Sequence, residues 1–323
     1  MDFRLSEEQL ALARGVRAFL ERSLPIDRLP KLAASPALDK VLWRELAQLG
    51  AFNLRLPEDA GGAALGMVDA ALVFAELGRS LFPGPAIWSN VLAGRVAGAG
   101  SGEAVVGGVD LTHGDPHPLL LEFAKDLDAL VALRPEGLYR IETSSLDLQP
   151  IAVPFDPLTP VGQVLRLPKG ERIGGPEEAE RTRLEALTLA SAFLLGISEA
   201  TLELALSYAK TREQFGRPIG SFQAIKHLLS DMFVRKEVAR AAVYTAGAVL
   251  DDPSAPAAVT SVLGARLTAG EAAMKNARAC IQIHGSMGYT WDIPAHYFLK
   301  RTWVLDVAFG SSEAHAHRIA SSL

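Results

Sequence analysis

Tyr208-Ala-Lys-Thr-Arg-Glu-Gln-Phe-Gly-Arg-Pro-Ile-Gly-Ser-Phe-Gln-Ala-Ile-Lys-His227 joins the end of one helical pattern to the start of another through a turn marked by glycine and proline. Arg212 and Arg217 bracket that turn, and Gln223 and Lys226 follow it. A guanidinium can donate two parallel hydrogen bonds to phosphate oxygens, so a pair of them beside a turn suits a diphosphate. Taken alone, the same stretch also describes an ordinary helix-turn-helix with solvated charges.

Working outward, residues 178–323 carry long helical patterns. One runs from Leu184 to Lys210 with Gly196 inside it, and a second from Ser221, a candidate N-cap, to about Asp251. Asp252-Pro-Ser-Ala-Pro256 separates a third, near Ala257 to His284, and the last runs from about Ala308 to the end. Four long helices with short connections predict an antiparallel bundle. Residues 1–83 are helical too. Ser6 with Gln9 makes a capping box, Leu12, Val16, Phe19 and Leu20 form an apolar stripe, and Pro25 stops the helix. Leu38, Leu42, Leu46 and Leu49 make a second stripe closed by Gly50, and Met67 to Leu77 a third helix closed by Gly78. Between them, residues 84–177 lose helical periodicity and alternate short apolar runs with turns. Ala104–Val109, Ala129–Leu133, Leu138–Ile141 and Gln163–Leu167 read as strands of a small β domain.

The opening stretch resembles the C-terminal-domain signature of acyl-CoA dehydrogenases, which bind FAD. Leu56-Pro-Glu-Asp-Ala-Gly-Gly62 with Phe74-Ala-Glu-Leu-Gly-Arg79 resembles the N-terminal helical domain of the same family. Gln282-Ile-His-Gly-Ser-Met-Gly-Tyr-Thr-Trp291 resembles its Gln-x-x-Gly-Gly-x-Gly-Phe/Tyr segment, with Ser286 at the second glycine. The resemblance implies a mainly α fold with a small β domain: N-terminal helical domain, reduced middle β domain, C-terminal four-helix bundle. It implies Arg212, Phe215, Gln223, Gln282, Gly285 and Ser286 as cofactor-binding residues, with the glycine segment meeting the FAD of a neighbouring subunit across a dimer interface.

Such an enzyme needs a carboxylate to take the proton from the carbon next to the thioester carbonyl, while the flavin accepts a hydride from the next carbon. The family commonly carries this glutamate in a Tyr-Glu-Gly-Thr segment. The matching stretch is Ala308-Phe-Gly-Ser-Ser-Glu313, and aligning on Gly310 puts Phe309 at the glutamate position. Other members place the base at a fixed distance before the tyrosine of the opening stretch, and counting back from Tyr208 lands on Ala186. Glu185 is one residue away, a turn of about 100° around a helix. Glu185, Asp292 and Glu313 are the substitute carboxylates. The family's Thr-Glu-Pro-x-x-Gly-Ser-Asp segment, which contacts the flavin ring, has no counterpart. The nearest region, Val106-Gly-Gly-Val-Asp-Leu-Thr-His-Gly-Asp115, shares no such pattern.

Composition narrows the alternatives. Of 323 residues, 49 % are hydrophobic and 21 % charged, which fits a folded chain with a large core. A net charge of -5 without a dominant basic patch argues against nucleic acid. The single cysteine, Cys280, excludes an internal disulfide and a cysteine-based zinc site, and reads as core filler. The N-terminal residues lack a signal-peptide pattern, and the most apolar run, Leu189–Ile197, is too short to span a bilayer, so a soluble, cytoplasmic protein is expected. His284 lacks a partner at metal-ligand spacing, so no metal is expected. His315 and His317 read as surface or interface groups, and Trp291 and Tyr297 as core or interface anchors.

Within the family, the resemblance is to the short subunits of actinobacterial steroid catabolism, which form heterotetramers with a second chain and hold FAD at the unlike interface. It implies an FAD-dependent acyl-CoA dehydrogenase subunit without its own base. Its partners would be an acyl-CoA substrate (possibly steroid-derived), a catalytic second chain and an electron-accepting flavoprotein. Two other readings stand beside it: a non-catalytic scaffold that kept the fold, and a homomeric flavoprotein of the oxidase or monooxygenase type.

Overall fold

The computed structural model describes residues 4–114, 118–252, 254–255 and 257–322. Helix α1 (Glu7–Ser23) starts on the expected capping box, with Ser6 Oγ accepting from the Gln9 N–H and Gln9 Oε1 from the Ser6 N–H, both at 3.1 Å. Its buried side is Val16, Phe19 and Leu20, and it ends before Pro25. Two short helices follow, α2 (Leu29–Ala34) and α3 (Lys40–Gln48). Asp39 caps α3, and Gly50, at φ +84°, turns the chain after it.

Helix α4 (Met67–Arg79) is buried almost all round, so its pattern is that of a core helix. It passes through Gly78 instead of ending there. The glycine is there for a crossing: a Cβ on Gly78 would lie 2.0 Å from the Phe193 carbonyl oxygen, and one on Gly196 would lie 1.8 Å from that of Ala75. A further helix, α5 (Ala86–Val91), precedes the first strand.

Among the described residues, the β region holds seven short strands: β1 (Val106–Asp110), β2 (Leu119–Glu122), β3 (Ala129–Arg134), β4 (Gly137–Ile141), β5 (Leu148–Pro150), β6 (Val161–Val164) and β7 (Glu171–Gly174). One sheet has the order β1-β3-β4-β7, with β1 parallel to β3 and the other pairs antiparallel. The second has the order β2-β6-β5 and is antiparallel. Strands β2, β5 and β7 were not expected. They are three or four residues long, β5 ends on a proline at a sheet edge, and β7 is charged and exposed, so none carries a period-two signal. The fourth expected strand lies earlier, at Val161–Val164 instead of Gln163–Leu167.

The C-terminal bundle is built from α6 (Pro176–Thr211), α7 (Gln223–Asp251), α8 (Ala258–His284), α9 (Ala295–Val307) and α10 (Ser312–Ala320). The expected last helix starts later, at Ser312 instead of about Ala308, because Phe309 and Gly310 adopt positive φ, and α9 before it was not expected. Helix α6 is the axis. It packs against α4, α7 and α8 and is buried on most of its surface from Leu184 to Thr201. By length and composition it could cross a membrane, but here it is the core helix. Ser221 is not the N-cap of α7. Its hydroxyl donates back to the Pro218 carbonyl at 2.7 Å, and Phe222 takes the cap position without a side-chain bond. The far end of α7 ties the N-terminal helices to the bundle: the Asp251 carboxylate accepts the Met67 N–H at 2.8 Å, capping α4 from another element. Pro253 and Pro256 of the expected separator, and Asp115, lie outside the described residues.

Candidate functional site

Helix α6 runs one way, α7 returns and α8 runs with α6, so three termini meet at one end of the bundle. These are the last turn of α6, the first turn of α7 and the end of α8. The small hairpin of β8 (Glu213–Gln214) and β9 (Arg217–Pro218) links the first two, closed by the Ile219 N–H donating to the Arg212 carbonyl at 2.8 Å. Both sequence motifs are joined there, since the Tyr208 ring stacks on His284 at 4.2 Å. His284 is oriented by its own helix: Nδ1 donates to the Cys280 carbonyl at 2.8 Å.

The donors at this end divide into occupied and free. Arg217 lies over the Phe222 ring at 4.2 Å. Arg212 is exposed and has no side-chain partner among the described residues, and the same holds for the amides of Gln223 and Gln282. Phe215 sits at φ +54° and is 90 % exposed, a large apolar ring held out at the hairpin tip. Gly285 has φ +62° with nothing within 4 Å of a Cβ position, and Ser286 beside it is exposed, so the backbone there is open to close approach. The first turn of α7 has no side-chain cap, while its Ile225 and Lys226 N–H groups donate to the Phe222 carbonyl at 3.1 Å, which leaves those of Gln223 and Ala224. A cavity of about 550 Å³ lies at this end between Lys210 and Lys226, lined also by Leu206, Ala209 and Leu229. One free guanidinium, two free amides and a helix start without a side-chain cap are the exposed donors at this end of the bundle.

The expected base positions lie elsewhere. Ala186 is fully buried on α6. Phe309 is 7 % exposed, adopts φ +64°, and packs its ring 5.1 Å from that of Trp88. Trp88 in turn lies flat on β1, where a Cβ on Gly108 would stand 2.2 Å from its ring. Arg183, wholly enclosed, closes the other side. It donates from Nε to Asp110 at 2.8 Å, and from Nη2 to the Phe309 carbonyl at 3.2 Å and to His113 Nε2 at 3.0 Å. A guanidinium only donates, so His113 Nε2 is the unprotonated nitrogen of that ring. Asp110 is further engaged by the Thr112 hydroxyl at 2.6 Å. This pocket is filled by side chains.

The substitute carboxylates sit in two kinds of surroundings. Glu185 is gripped by both arms of Arg55, at 2.9 and 2.7 Å, and by Arg181 at 2.6 Å. Burial works to raise its pKa, but the Arg55 and Arg181 contacts outweigh that and hold it below the ordinary carboxylate range. Asp292 and Glu313 are exposed, Glu313 in the first turn of α10, where an acid suits the helix dipole. Cys280 is fully buried and burial pushes its thiol up to about 12, so it is core and no nucleophile. Tyr297 is buried, whereas Trp291 is 62 % exposed with Lys300 over its ring at 4.5 Å. His317 is exposed, but His315 is buried to 1 %, because α10 turns it inward against Gly310. Among the described residues, no three His, Cys, Asp or Glu side chains are grouped to hold a metal.

Sequence reading missed Arg183, Asp110 and Trp88. A lone arginine in a helical run and a tryptophan near a proline turn carry no pattern of their own. Only the absence of a carboxylate at Phe309 hinted that something else filled the space.

The filled pocket and the free donors are far apart. Arg183 and Tyr208 lie on the same helix, twenty-five residues from one another, which at 1.5 Å per residue is about 37 Å.

Comparison with known proteins matches both flanks of the β region. The family model described as "Acyl-CoA dehydrogenase, N-terminal domain" matches residues 6–104, and that described as "Acyl-CoA dehydrogenase, C-terminal domain" matches residues 180–323. The chain is 34 % identical over 279 residues to acyl-CoA dehydrogenase IpdE2 of Mycobacterium tuberculosis, covering 84 % of this chain and 82 % of that protein. It is 30 % identical to IpdE2 of Mycolicibacterium smegmatis, covering 92 % and 93 %. In three dimensions it is similar to a chain of the ChsE4-ChsE5 complex from Mycobacterium tuberculosis, with TM-score 0.87, 23 % identity, and coverage of 100 % and 98 %. Butyryl-CoA dehydrogenase from Megasphaera elsdenii gives TM-score 0.84, 20 % identity, and coverage of 100 % and 99 %.

Proposed function

The chain belongs to the acyl-CoA dehydrogenase family, whose members are FAD-dependent oxidoreductases, and from that premise we propose that it is one subunit of a heteromeric dehydrogenase whose partner chain supplies the proton-abstracting carboxylate. The observation that carries this reading is the separation along α6. The free dinucleotide donors stand at one end, and the pocket where the base would sit, filled by Phe309, Trp88 and Arg183, stands near the other.

FAD, when bound, supplies the hydride acceptor for α,β-dehydrogenation of the acyl thioester. In this reading Arg212 holds the phosphates through charge-assisted, two-pronged hydrogen bonds, and Gln223 and Gln282 add amide donors beside it. Gly285 and Ser286 let the backbone come close, and Phe215 shields the cofactor from water. The partner contributes the ring pocket and the carboxylate, and an electron-transferring flavoprotein takes the electrons away. Likeness to the ChsE4-ChsE5 complex and to the Tcur3481-Tcur3483 steroid dehydrogenase supports an unlike partner and a steroid-derived acyl group. A scaffold without cofactor rests on the same filled pocket, but it leaves the free Arg212 without a role.

Expression of the chain alone, and together with the product of the neighbouring gene, separates these readings through the flavin absorbance of the purified protein. Yellow protein only after co-expression is the expected result. A colourless complex favours the scaffold, and flavin with turnover in the single chain contradicts the proposal.

A further inference from the structure

Two pieces of chain at the end of α6 are each braced from within. The first runs from Arg212 through the hairpin to Gln223. The Arg212 N–H donates to the Tyr208 carbonyl at 2.8 Å, and the Arg212 carbonyl accepts the Ile219 N–H at 2.8 Å. The segment after β9 lies tight on α6, since a Cβ on Gly220 would stand 2.8 Å from the Ala209 carbonyl oxygen. The second piece runs from Gln282 to Gly288. The Gly285 N–H donates to the Gln282 carbonyl, and the chain then folds back onto α8, so that a Cβ on Gly288 would stand 2.6 Å from the Ile281 carbonyl oxygen.

A pair of rings crosses between the two pieces. Tyr208 and His284 stack with centroids 4.2 Å apart and planes at 26°. His284 is 6 % exposed, and its Nδ1–H bond to the Cys280 carbonyl fixes the imidazole in the orientation that stacks. One turn back along both helices, the Cys280 thiol lies against the Ala205 backbone. The Tyr208 hydroxyl makes no hydrogen bond among the described residues, so the ring alone makes the contact. Tyr208 stands one helical turn before Arg212, and His284 is followed at once by Gly285. A shift at this joint therefore moves the guanidinium of one piece against the amide and open backbone of the other. Groups that hold a ligand keep their geometry only as well as the side chains behind them are locked.

We propose that Tyr208 and His284 are positioning residues for the flavin. Their stack sets the spacing between Arg212 and Gln223 on one side and Gln282 and Gly285 on the other, and they act through those groups. This inference rests on the reading that these donors face a flavin.

The complex with the co-expressed partner chain is stripped of flavin and titrated with FAD. Tyr208→Leu should weaken FAD binding about tenfold, the scale on which loss of an orienting neighbour is felt. Tyr208→Phe, which keeps the ring, should bind as the unsubstituted complex does. Combined with Arg212→Ala, the loss from Tyr208→Leu should fall clearly short of adding, because it passes in part through Arg212. Should Tyr208→Leu not assemble, His284→Gln carries the same expectation, since it keeps a donor for the Cys280 carbonyl and removes the ring. Unchanged FAD affinity in these ring-removing variants, an equal loss in Tyr208→Phe, or full additivity with Arg212→Ala overturns the positioning role. Unchanged affinity in Arg212→Ala alone overturns the flavin reading beneath it.

Discussion

The ring of Phe309 lies 5.1 Å from that of Trp88, on a backbone held at φ +64°. A non-glycine residue in that region is strained, and here the strained backbone turns an apolar ring inward at the position we propose the base would otherwise occupy. Phe309→Glu should therefore not create an active site. The carboxylate would enter a space filled by Trp88, with Arg183 already committed to Asp110. Loss of the packed ring should cost roughly 3–5 kcal/mol in urea unfolding, with no acyl-CoA oxidation by the chain alone in a dye-coupled assay. Turnover in that variant contradicts the filled pocket.

The crossing of α4 and α6 is equally specific. Gly196→Val should prevent folding or cost more than about 4 kcal/mol, because its Cβ would stand 1.8 Å from the Ala75 carbonyl oxygen and helix backbone cannot yield locally. Gly264→Ala on α8 is the control. Nothing lies within 4 Å of its Cβ position, and alanine in a helix interior is favoured by ~1 kcal/mol. Equal unfolding midpoints for the two variants contradict the crossing.

Arg183 and Asp110 form an ion pair whose side chains are 0 % and 3 % exposed. Arg183→Met alone should cost roughly 3–5 kcal/mol, because it strands a buried carboxylate. Adding Asp110→Leu should return part of that loss, a non-additivity that urea denaturation of both single variants and the double reads directly. Strict additivity contradicts direct coupling.

Stability should fall on the acid side of neutrality. His315 and His296 are each pushed down to about 4, by burial first and then by Arg266 and Arg183 in one case and Lys300 in the other. An unfolded histidine titrates near 6.5, so between about 6.5 and 4 the unfolded chain binds protons that the folded chain does not. The contribution is complete above that window and is lost as pH falls through it, on the order of 3 kcal/mol for each residue at most. Glu185, lowered in the fold, loses its share only at still lower pH. Urea midpoints at about pH 7 and about pH 5 should differ, and His315→Gln should flatten the change. An unchanged midpoint across that interval contradicts the shifts.

Much of the fold was legible because its signals are local. Ser6 and Gln9, three residues apart, specify a helix start by themselves, and the Tyr208–His227 stretch marks a helix–hairpin–helix by its own turn residues. Gly78 read as a stop because a glycine near a helix end has two uses, and only the position of Phe193 distinguishes a crossing from a cap. Ser221 failed for a similar reason: its hydroxyl had a nearer acceptor in Pro218. The residues proposed to face the flavin were read from two motifs, and the structure adds that Tyr208 and His284 bring both motifs to one end. Arg183 could not be read at all, since its function depends on Asp110, His113 and Phe309, which are distant in sequence.

The central claim is that the free donors at the end of α6 clasp a flavin whose catalytic pocket belongs to the partner chain. Arg212→Ala, co-expressed with the partner, tests it through the FAD content and FAD affinity of an assembled complex. The complex should still form, with retention weakened by roughly 1.5–3 kcal/mol, about 10–150-fold in Kd. Full flavin retention with unchanged affinity contradicts the claim.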